Sequence, residues 1–448
     1  MKKILAISIL LALVVSSGAF AASARWNALG GEQRFIIDTT NYCVYPGRIT
    51  MFGNALFIIP TPDFLDNNNV SGALLNFKDS ITLGLHYNLA SQGAKNLGSA
   101  LAAFGDDNEH LSALSIKTFP DIFLGIKMAN ASVGIRLAAA MDSSSDSVSL
   151  VEEEFEENDV VVSEWTHPID EITSSANALD LSVGASVYDT PAGDLDLGLR
   201  VGVQSFSQED PNADAGAGTE ISSTGGMDLN VDARLNTPLS GNCTLVPILN
   251  VNTGSLPSAE YDEIAAPNVT DVSYMNGDIG VGLRRAVKKK GFVLVGVKGG
   301  YGTTTSNPIR TIVDKEFGEI ISREKYEVSE TTDTSMNATL LAGVEYPIKG
   351  WLIARGGVNV KFVSLTDEIV VLDKTKNFKM DVDDVEEELV REMKTKDVGY
   401  YYNMGIRAMV GGLLIDVILA RNILHRGPYF VTGATGNWGT NVCITYKF

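Results

Sequence analysis

The sequence predicts an all-β protein: a transmembrane, antiparallel, up-and-down β-barrel of about 14 strands, with 16 as the alternative, and a plug-like N-terminal segment. Three observations predict it. Apolar and polar residues alternate with period two through most of the chain, the mark of strands with two unlike faces. The connections between these segments alternate between long and short, as in outer-membrane barrels with short periplasmic turns and long outer loops. The chain also opens like an exported protein and closes on an alternating apolar strand.

Met1 to Ala21 reads as a secretory signal peptide: Lys2 and Lys3, an apolar run from Ile4 to Val15, then the small-x-small site Ala19-Phe20-Ala21. The apolar run is too short to span a bilayer, and no later stretch approaches the roughly 18 apolar residues of a spanning helix. Residues 22–70 are assigned to a periplasmic or plug segment and 71–448 to the barrel. Export directs the product to the outer membrane.

The strands follow in order. "SITLGLHYN" sets Ile81, Leu83, Leu85 and Tyr87 against Thr82, Gly84, His86 and Asn88. "DIFLGIKM" and "SVGIRLAAAM" repeat the split, and "DLDLGLRVGVQ" sets Leu195, Leu197, Leu199, Val201 and Val203 against Asp196, Gly198, Arg200, Gly202 and Gln204. "GMDLNVDARL", "GDIGVGLRR", "FVLVGVKGGY", "MNATLLAGVEY", "LIARGGVNVKF", "YYYNMGIRAM" and "LLIDVILAR" continue it. One rising strand at 79–89, six hairpins and a descending strand at 437–448 make the fourteen. "NALFII" and "GALLNF" are the stretches that would raise the number to sixteen. Pro247 lies inside the strand at 242–252. Proline removes a ladder donor, so a bulge is expected there. In the long connection 364–397, Val382, Val385, Leu389 and Met393 fall at helical spacing and predict an amphipathic surface helix.

The faces then separate. Leu, Val and Ile point outward to lipid, with Tyr87, Tyr301, Tyr346 and Tyr446 at strand ends as an aromatic girdle. The inward face is rich in Gly and carries Lys127, Arg136, Arg200, Arg234, Arg284, Lys298, Arg355, Lys361 and Arg407 against Asp180, Asp196, Asp228, Asp232, Asp278, Glu345 and Asp416. These near-balanced charges line a watery lumen or fill and brace it; the pattern is the same for both. The last strand places Val442, Ile444, Tyr446 and Phe448 on the lipid face. It resembles the terminal signal read by the bacterial barrel-assembly machinery, which makes that machinery and outer-membrane lipid the expected partners.

The formal charge of −20 excludes a nucleic-acid binder, since phosphate contacts need clustered Lys and Arg. The acidity sits in the loops: residues 142–171 hold 11 carboxylates and no Lys or Arg. Such runs keep loops solvated; lipopolysaccharide, or divalent cations bridging to it, are the partners they suit. Three Cys (Cys43, Cys243 and Cys443) give no complete disulfide framework. No phosphate loop, zinc spacing or calcium loop is present, so no cofactor or metal is expected. Of His86, His110, His167 and His425, His86 alone lies on a strand; with no Ser–His pairing to argue, no enzyme is expected.

Residues 24–50, "ARWNALGGEQRFIIDTTNYCVYPGRIT", present Leu29, Gly30, Gly31, Asp38, Asn41 and Pro46 in that order. This resembles the start of the long-chain fatty-acid transporter superfamily of outer-membrane proteins: a Gly-Gly, an acidic pair, then an Asn-Pro-Ala box. Here the acidic pair is reduced to Asp38 and the box reads Tyr45-Pro46-Gly47. The resemblance implies an N-terminal plug folded into a fourteen-stranded barrel, and it keeps a hydrophobic solute open. Those transporters line their route with apolar groups, whereas the inward face here is charged. The expected function is passive uptake of a small solute through a porin-like, plugged lumen; the alternative is a closed scaffold barrel that binds a surface or secretion partner.

Overall fold

The computed structural model describes residues 25, 28–29, 31–38, 41–59, 70–77, 80–87, 91–102, 111, 114, 116–147, 171–210, 219–223, 225–261, 269–287, 291–316, 319–327, 329–372, 388–421 and 442–448. Its wall is one closed ring of antiparallel strands. In chain order these are β1 (Ala55–Ile59), β2 (Val70–Phe77), β3 (Ile81–Tyr87), β4 (Asp121–Lys127), β5 (Ala131–Ser147), β6 (Glu171–Thr190), β7 (Gly193–Asp210) and β8 (Gly226–Leu239). The ring continues with β9 (Cys243–Leu256), β10 (Val269–Val287), β11 (Gly291–Glu316), β12 (Ser329–Lys349), β13 (Leu352–Leu372), β14 (Glu388–Val410), β15 (Leu413–Arg421) and β16 (Val442–Lys447). Each strand pairs with its chain neighbours, and β1 closes the ring by pairing with both β2 and β16.

The ring therefore has sixteen strands. The two beyond fourteen are β1 and β2, the "NALFII" and "GALLNF" stretches. Because β1 is a wall strand, the wall begins at Ala55 rather than at residue 71. Short strand extensions, among them Thr219–Ser223 and Glu319–Glu327, continue the wall past the long-loop end.

Closure follows from the surroundings. A sheet in hydrocarbon has no water for its edge groups, so every backbone donor and acceptor must pair around the ring. Period-two alternation then puts Leu83, Leu85, Ile122, Leu124, Leu197 and Leu199 outside, all exposed. Tyr87, Tyr301, Tyr346 and Tyr446 are exposed with them. The tight turns use left-handed backbone where the chain must reverse: Asp189 (φ 56°), the pair Gly241 (φ 74°) and Asn242 (φ 63°), and Gly411 (φ 61°). Two successive left-handed residues suit the twist of a hairpin.

Three local expectations change. Pro247 makes no bulge. It faces Val281 in an unbroken β9–β10 register, and the β8–β9 register is the same on either side of it. The helix expected around 382–393 is a strand at its described end: Leu389 and Met393 belong to β14 and pair with Val371 and Asp367, while Val382 and Val385 lie outside the described residues. Pairing with a long neighbouring strand overrides the local 3.6 spacing. Conversely, the stretch 90–119 contains a helix, α1 (Gln92–Ala102), whose Ala94, Leu97 and Leu101 pack inside the barrel on Ala140, Ala176, Ala178 and Phe206. Ser91 Oγ accepts the Ala94 N–H at 3.1 Å and caps its start. Its short apolar face is easily read as loop.

Candidate functional site: the plugged lumen

Residues 25–52 cross the lumen near the short-turn end. They fold as three 3₁₀ turns, Gln33–Phe35, Asn41–Cys43 and Pro46–Met51. Short polar side chains set these turns. Glu32 accepts the Arg34 N–H at 3.2 Å, Asn41 Oδ1 accepts the Asp38 N–H at 2.8 Å, and Pro46 presets the first position of the third turn.

The wall receives the plug on glycine. Gly125, Gly134, Gly184 and Gly198 face one another on successive strands β4 to β7, and residues 44–50 lie across them. A Cβ at Gly184 would stand 2.6 Å from Pro46 Cδ, and one at Gly134 would run into the Pro46 carbonyl. On the opposite side Phe35 lies on Gly280, Gly282 and Gly296, and Leu29 on Gly343. Only glycine lets two backbones approach so closely. Around that seat Leu29, Phe35 and Ile36 form a core with Val246, Ile248, Phe292, Leu294 and Leu341.

Ion pairs then tie the plug to the wall. Arg48, fully buried, forms a two-pronged pair with Asp196, with Nη2 at 2.9 Å from Oδ2. Arg234 Nε donates to the same carboxylate at 2.9 Å, and Ser186 Oγ donates to it at 2.7 Å. The other arm of Arg234 grips the plug: Nη1 donates to the Ile36 carbonyl at 2.9 Å, to Asn41 Oδ1 at 3.1 Å and to the Arg34 carbonyl at 3.2 Å. Its guanidinium lies 4.7 Å from the centre of the Tyr45 ring. Arg34 reaches Asp232 at 2.7 Å, Glu32 reaches Lys298 at 2.9 Å, and Arg25 reaches Glu345 at 2.9 Å. Glu345 also pairs with Arg355 at 2.7 Å, and Asp416 takes Arg355 and Arg407, the latter at 2.7 Å. Burial opposes ionisation of Glu32, but Lys298 and Arg34 outweigh it and hold the carboxyl below the usual glutamate range. Burial pushes the Cys43 thiol in the plug up to about 11. Buried charges survive only where partners replace lost water, and here the partners come from two parts of the chain.

A third contact is aromatic. Tyr42 Oη and His86 Nε2 are 2.6 Å apart, inside a cluster with Phe52, Phe57 and Phe123. Next to it Arg136 donates to Asp121 at 2.8 Å.

The sequence-derived lumen residues thus divide. Arg136, Asp196, Asp232, Arg234, Lys298, Glu345, Arg355, Arg407 and Asp416 stand in or beside the plug contacts. Arg200 pairs with Asp228 at 2.6 Å and lies 3.7 Å from Asp180, whose carboxylate accepts the Gly93 N–H of α1 at 3.0 Å. Asp278 pairs with Lys298 at 3.4 Å. Arg284 is half-buried; Lys127 and Lys361 are exposed. Of the motif residues, Gly31 is left-handed (φ 86°), Asp38, Asn41 and Pro46 are buried, and Gly30 lies outside the described residues. Tyr446 and Phe448 are exposed, Ile444 is buried though its register pairs it with Ile415, and Val442 pairs with Val417. The acidic loops fall largely in 148–170, 211–218 and 262–268, outside the described residues; among the described ones no group of three ligating side chains could hold a metal.

Face alternation on the barrel strands missed the plug's own charges, Arg25, Glu32, Arg34 and Arg48, and the wall residue Asp121. The run of inward glycines was the available signal that another segment lies against the wall.

No protein-family model matches the chain, and no curated protein matches it in sequence. Among solved structures it is similar to the Pseudomonas putida toluene transporter TodX, at 12% identity over 96% of this chain and 98% of that one, with a TM-score of 0.35. It is also similar to the ferric-catecholate import receptor Fiu of E. coli K12 (6% identity, 88% and 74% covered, TM-score 0.36). A further match is the alcaligin outer-membrane receptor FauA of Bordetella pertussis (6% identity, 82% and 67% covered, TM-score 0.36). At these TM-scores the overlap is loose, and the architecture rests on the strand pairing itself.

Proposed function

We propose that this chain is an outer-membrane barrel for passive passage of a small solute, with residues 25–52 as its removable plug. The observation that carries the reading is the kind of joint between plug and wall. It consists of ion pairs, hydrogen bonds from Arg234 to plug carbonyls, one tyrosine–histidine hydrogen bond, a small apolar core and close contact on glycine, with the chain passing into the wall at Ala55. A ring of sixteen strands is wide enough for an aqueous channel once nothing fills it. The apolar exterior suits lipid, and the alternating end of β16, with Val442, Ile444, Tyr446 and Phe448, suits recognition by the barrel-assembly machinery. No catalytic role is assigned: His86 is engaged by Tyr42 rather than by a serine. The ion-paired floor favours a second reading, a permanently closed scaffold in which the same pairs brace the barrel.

Planar-bilayer conductance of the mature protein, with and without residues 22–52, separates the two. The cut stops at residue 52 because β1 belongs to the wall. Heat-modifiable gel migration verifies that both forms are folded. Steps that appear or grow on removal are expected. Silence from both folded, inserted forms would leave the scaffold.

A further inference from the structure

Beyond the plug, towards the long loops, the two sides of the lumen differ. On β5 to β7 the inward residues are small or apolar (Ala138, Ala140, Ala176, Ala178, Phe206), and α1 covers most of them. On β8 to β12 the inward residues at this level include a band of amides and hydroxyls. One hydrogen-bonded rung runs Asn230, Asn252, Asn276, Gly302, Ser335 across β8 to β12. The rung below it includes Asn250, Gly300 and Asn337. On β13 the same two rungs carry Leu365 and Val363, so the amide face ends at β12. Asn276 is exposed, and Asn230, Asn252 and Asn337 are half-buried, so this face meets solvent.

The glycines among them make the surface. A Cβ at Gly302 would lie 2.8 Å from Ser335 Oγ, and one at Gly300 2.5 Å from Asn337 Nδ2. Without side chains of their own, they let the neighbouring amides lie across the wall. The charges next to this face are already engaged: Asp232 with Arg34, and Asp278 with Lys298, itself on Glu32. Asn250 Nδ2 donates to Asn230 Oδ1 and to Asp232 Oδ1, each at 3.0 Å. The charges exposed nearby are Lys361 and Asp397, of opposite sign, and, one rung further out, Asp333 opposite Asp367.

Such a face discriminates by chemistry. Each amide offers two donors and an acceptor without net charge. An apolar solute would strip water from them with no hydrogen bond in return. An ion would leave its hydration shell for amides that carry no charge. A neutral solute rich in hydroxyls loses nothing, because it gives and accepts hydrogen bonds all round. We propose that the amide face of β8 to β12 selects neutral, polyhydroxylated solutes of sugar type. This rests on the transport reading above and names its substrate class.

Swelling of liposomes carrying the full mature chain, and of others carrying its Arg234→Gln variant with a weakened plug clasp, tests it. The osmolytes are a neutral pentose, a sugar acid and an amino sugar of similar size. The pentose is expected to enter fastest. The combined variant Asn252→Leu, Asn276→Leu, Asn337→Leu is expected to slow the pentose by roughly tenfold, the equivalent of one or two net hydrogen bonds, while potassium chloride conductance stays the same. Equal entry of all three solutes, or a pentose rate untouched by the three substitutions, would overturn the substrate class and leave transport standing. No entry of any solute through either folded, inserted form would overturn transport itself.

Discussion

The two sides of this lumen are built from the same strands and the same alternation, yet one is a seat and the other a surface. Across β4 to β7, inward glycines at one level receive the plug backbone, and α1 covers the wall further out. Across β10 to β12, the inward glycines next to the plug seat Phe35 and Leu29, and those further out, Gly300 and Gly302, sit beside asparagines and leave the amides room. The difference lies in what fills the space a glycine leaves: backbone of another segment on the first side, a polar neighbour side chain on the second. Charge follows the same division. On the plugged level every carboxylate named above has a basic partner, several of them supplied by the plug, whereas further out Lys361, Asp397 and Asp333 are exposed.

Substitutions can sharpen or break that contrast. The largest effect is expected at Arg234. Arg234→Ala leaves Asp196 with one cation fewer and three plug acceptors without their donor, a loss of about 3–5 kcal/mol typical of a broken buried pair. The denaturant midpoint of the unboiled gel form reads it. Next is Gly184→Val, which thrusts carbon against Pro46; overpacking of about 1–3 kcal/mol is expected, relieved by displacement of the plug. Cys43, whose thiol is pushed up by burial, should then react faster with a maleimide, located by mass spectrometry. An unchanged rate would mean that the glycine seat does not decide plug position. Tyr42→Phe removes one buried hydrogen bond and should cost about 1–2 kcal/mol, the His86 acceptor being left unmatched.

Acid should act through Glu32. Its carboxyl is held below the ordinary range in the folded chain, so its stabilisation is complete above the ordinary value and is lost as pH falls through the lowered one. Exposure of the plug, read as cleavage by an acid protease, should therefore rise only on acidification below the usual glutamate range, and Glu32→Gln should blunt that rise. The smallest effect belongs to the amide side. Lys361→Gln should change stability by no more than about 0.5 kcal/mol, as at an exposed site. It should shift ion selectivity, read as the reversal potential in a salt gradient. A stability loss there as large as at Arg234 would erase the contrast.

Much of the barrel is legible in the residues. Leu83, Leu85 and Tyr87 against Thr82, Gly84 and His86 specify a strand and its faces, because a pleated strand has no other periodicity. The short turns at 189–194 and 237–242 announce themselves through Asp, Gly and Asn. β1 and β2 were harder to read: "ALFII" and "ALL" are runs of apolar residues without clean period-two alternation, although the connection at 60–69 is rich in Pro, Asp and Asn. Residues 388–393 misled because helical spacing over a few residues is compatible with a strand once a neighbour supplies the hydrogen bonds. At the candidate site, Asp196, Asp232 and Arg234 could be assigned to the lumen from parity alone. Their partners could not, since Arg48 and Asp196 are 148 positions apart and nothing local relates them.

The sequence by itself determined the two faces, the antiparallel course of the chain and the polarity of the interior. These are local properties, written in period two and in turn chemistry. The tertiary structure alone decided that sixteen strands close the ring, that residues 25–52 lie inside it, and which inward glycines are covered and which stay open. Those outcomes depend on contacts across the ring, where close backbone approach and pairing of buried charges are satisfied together only when the whole wall is in place.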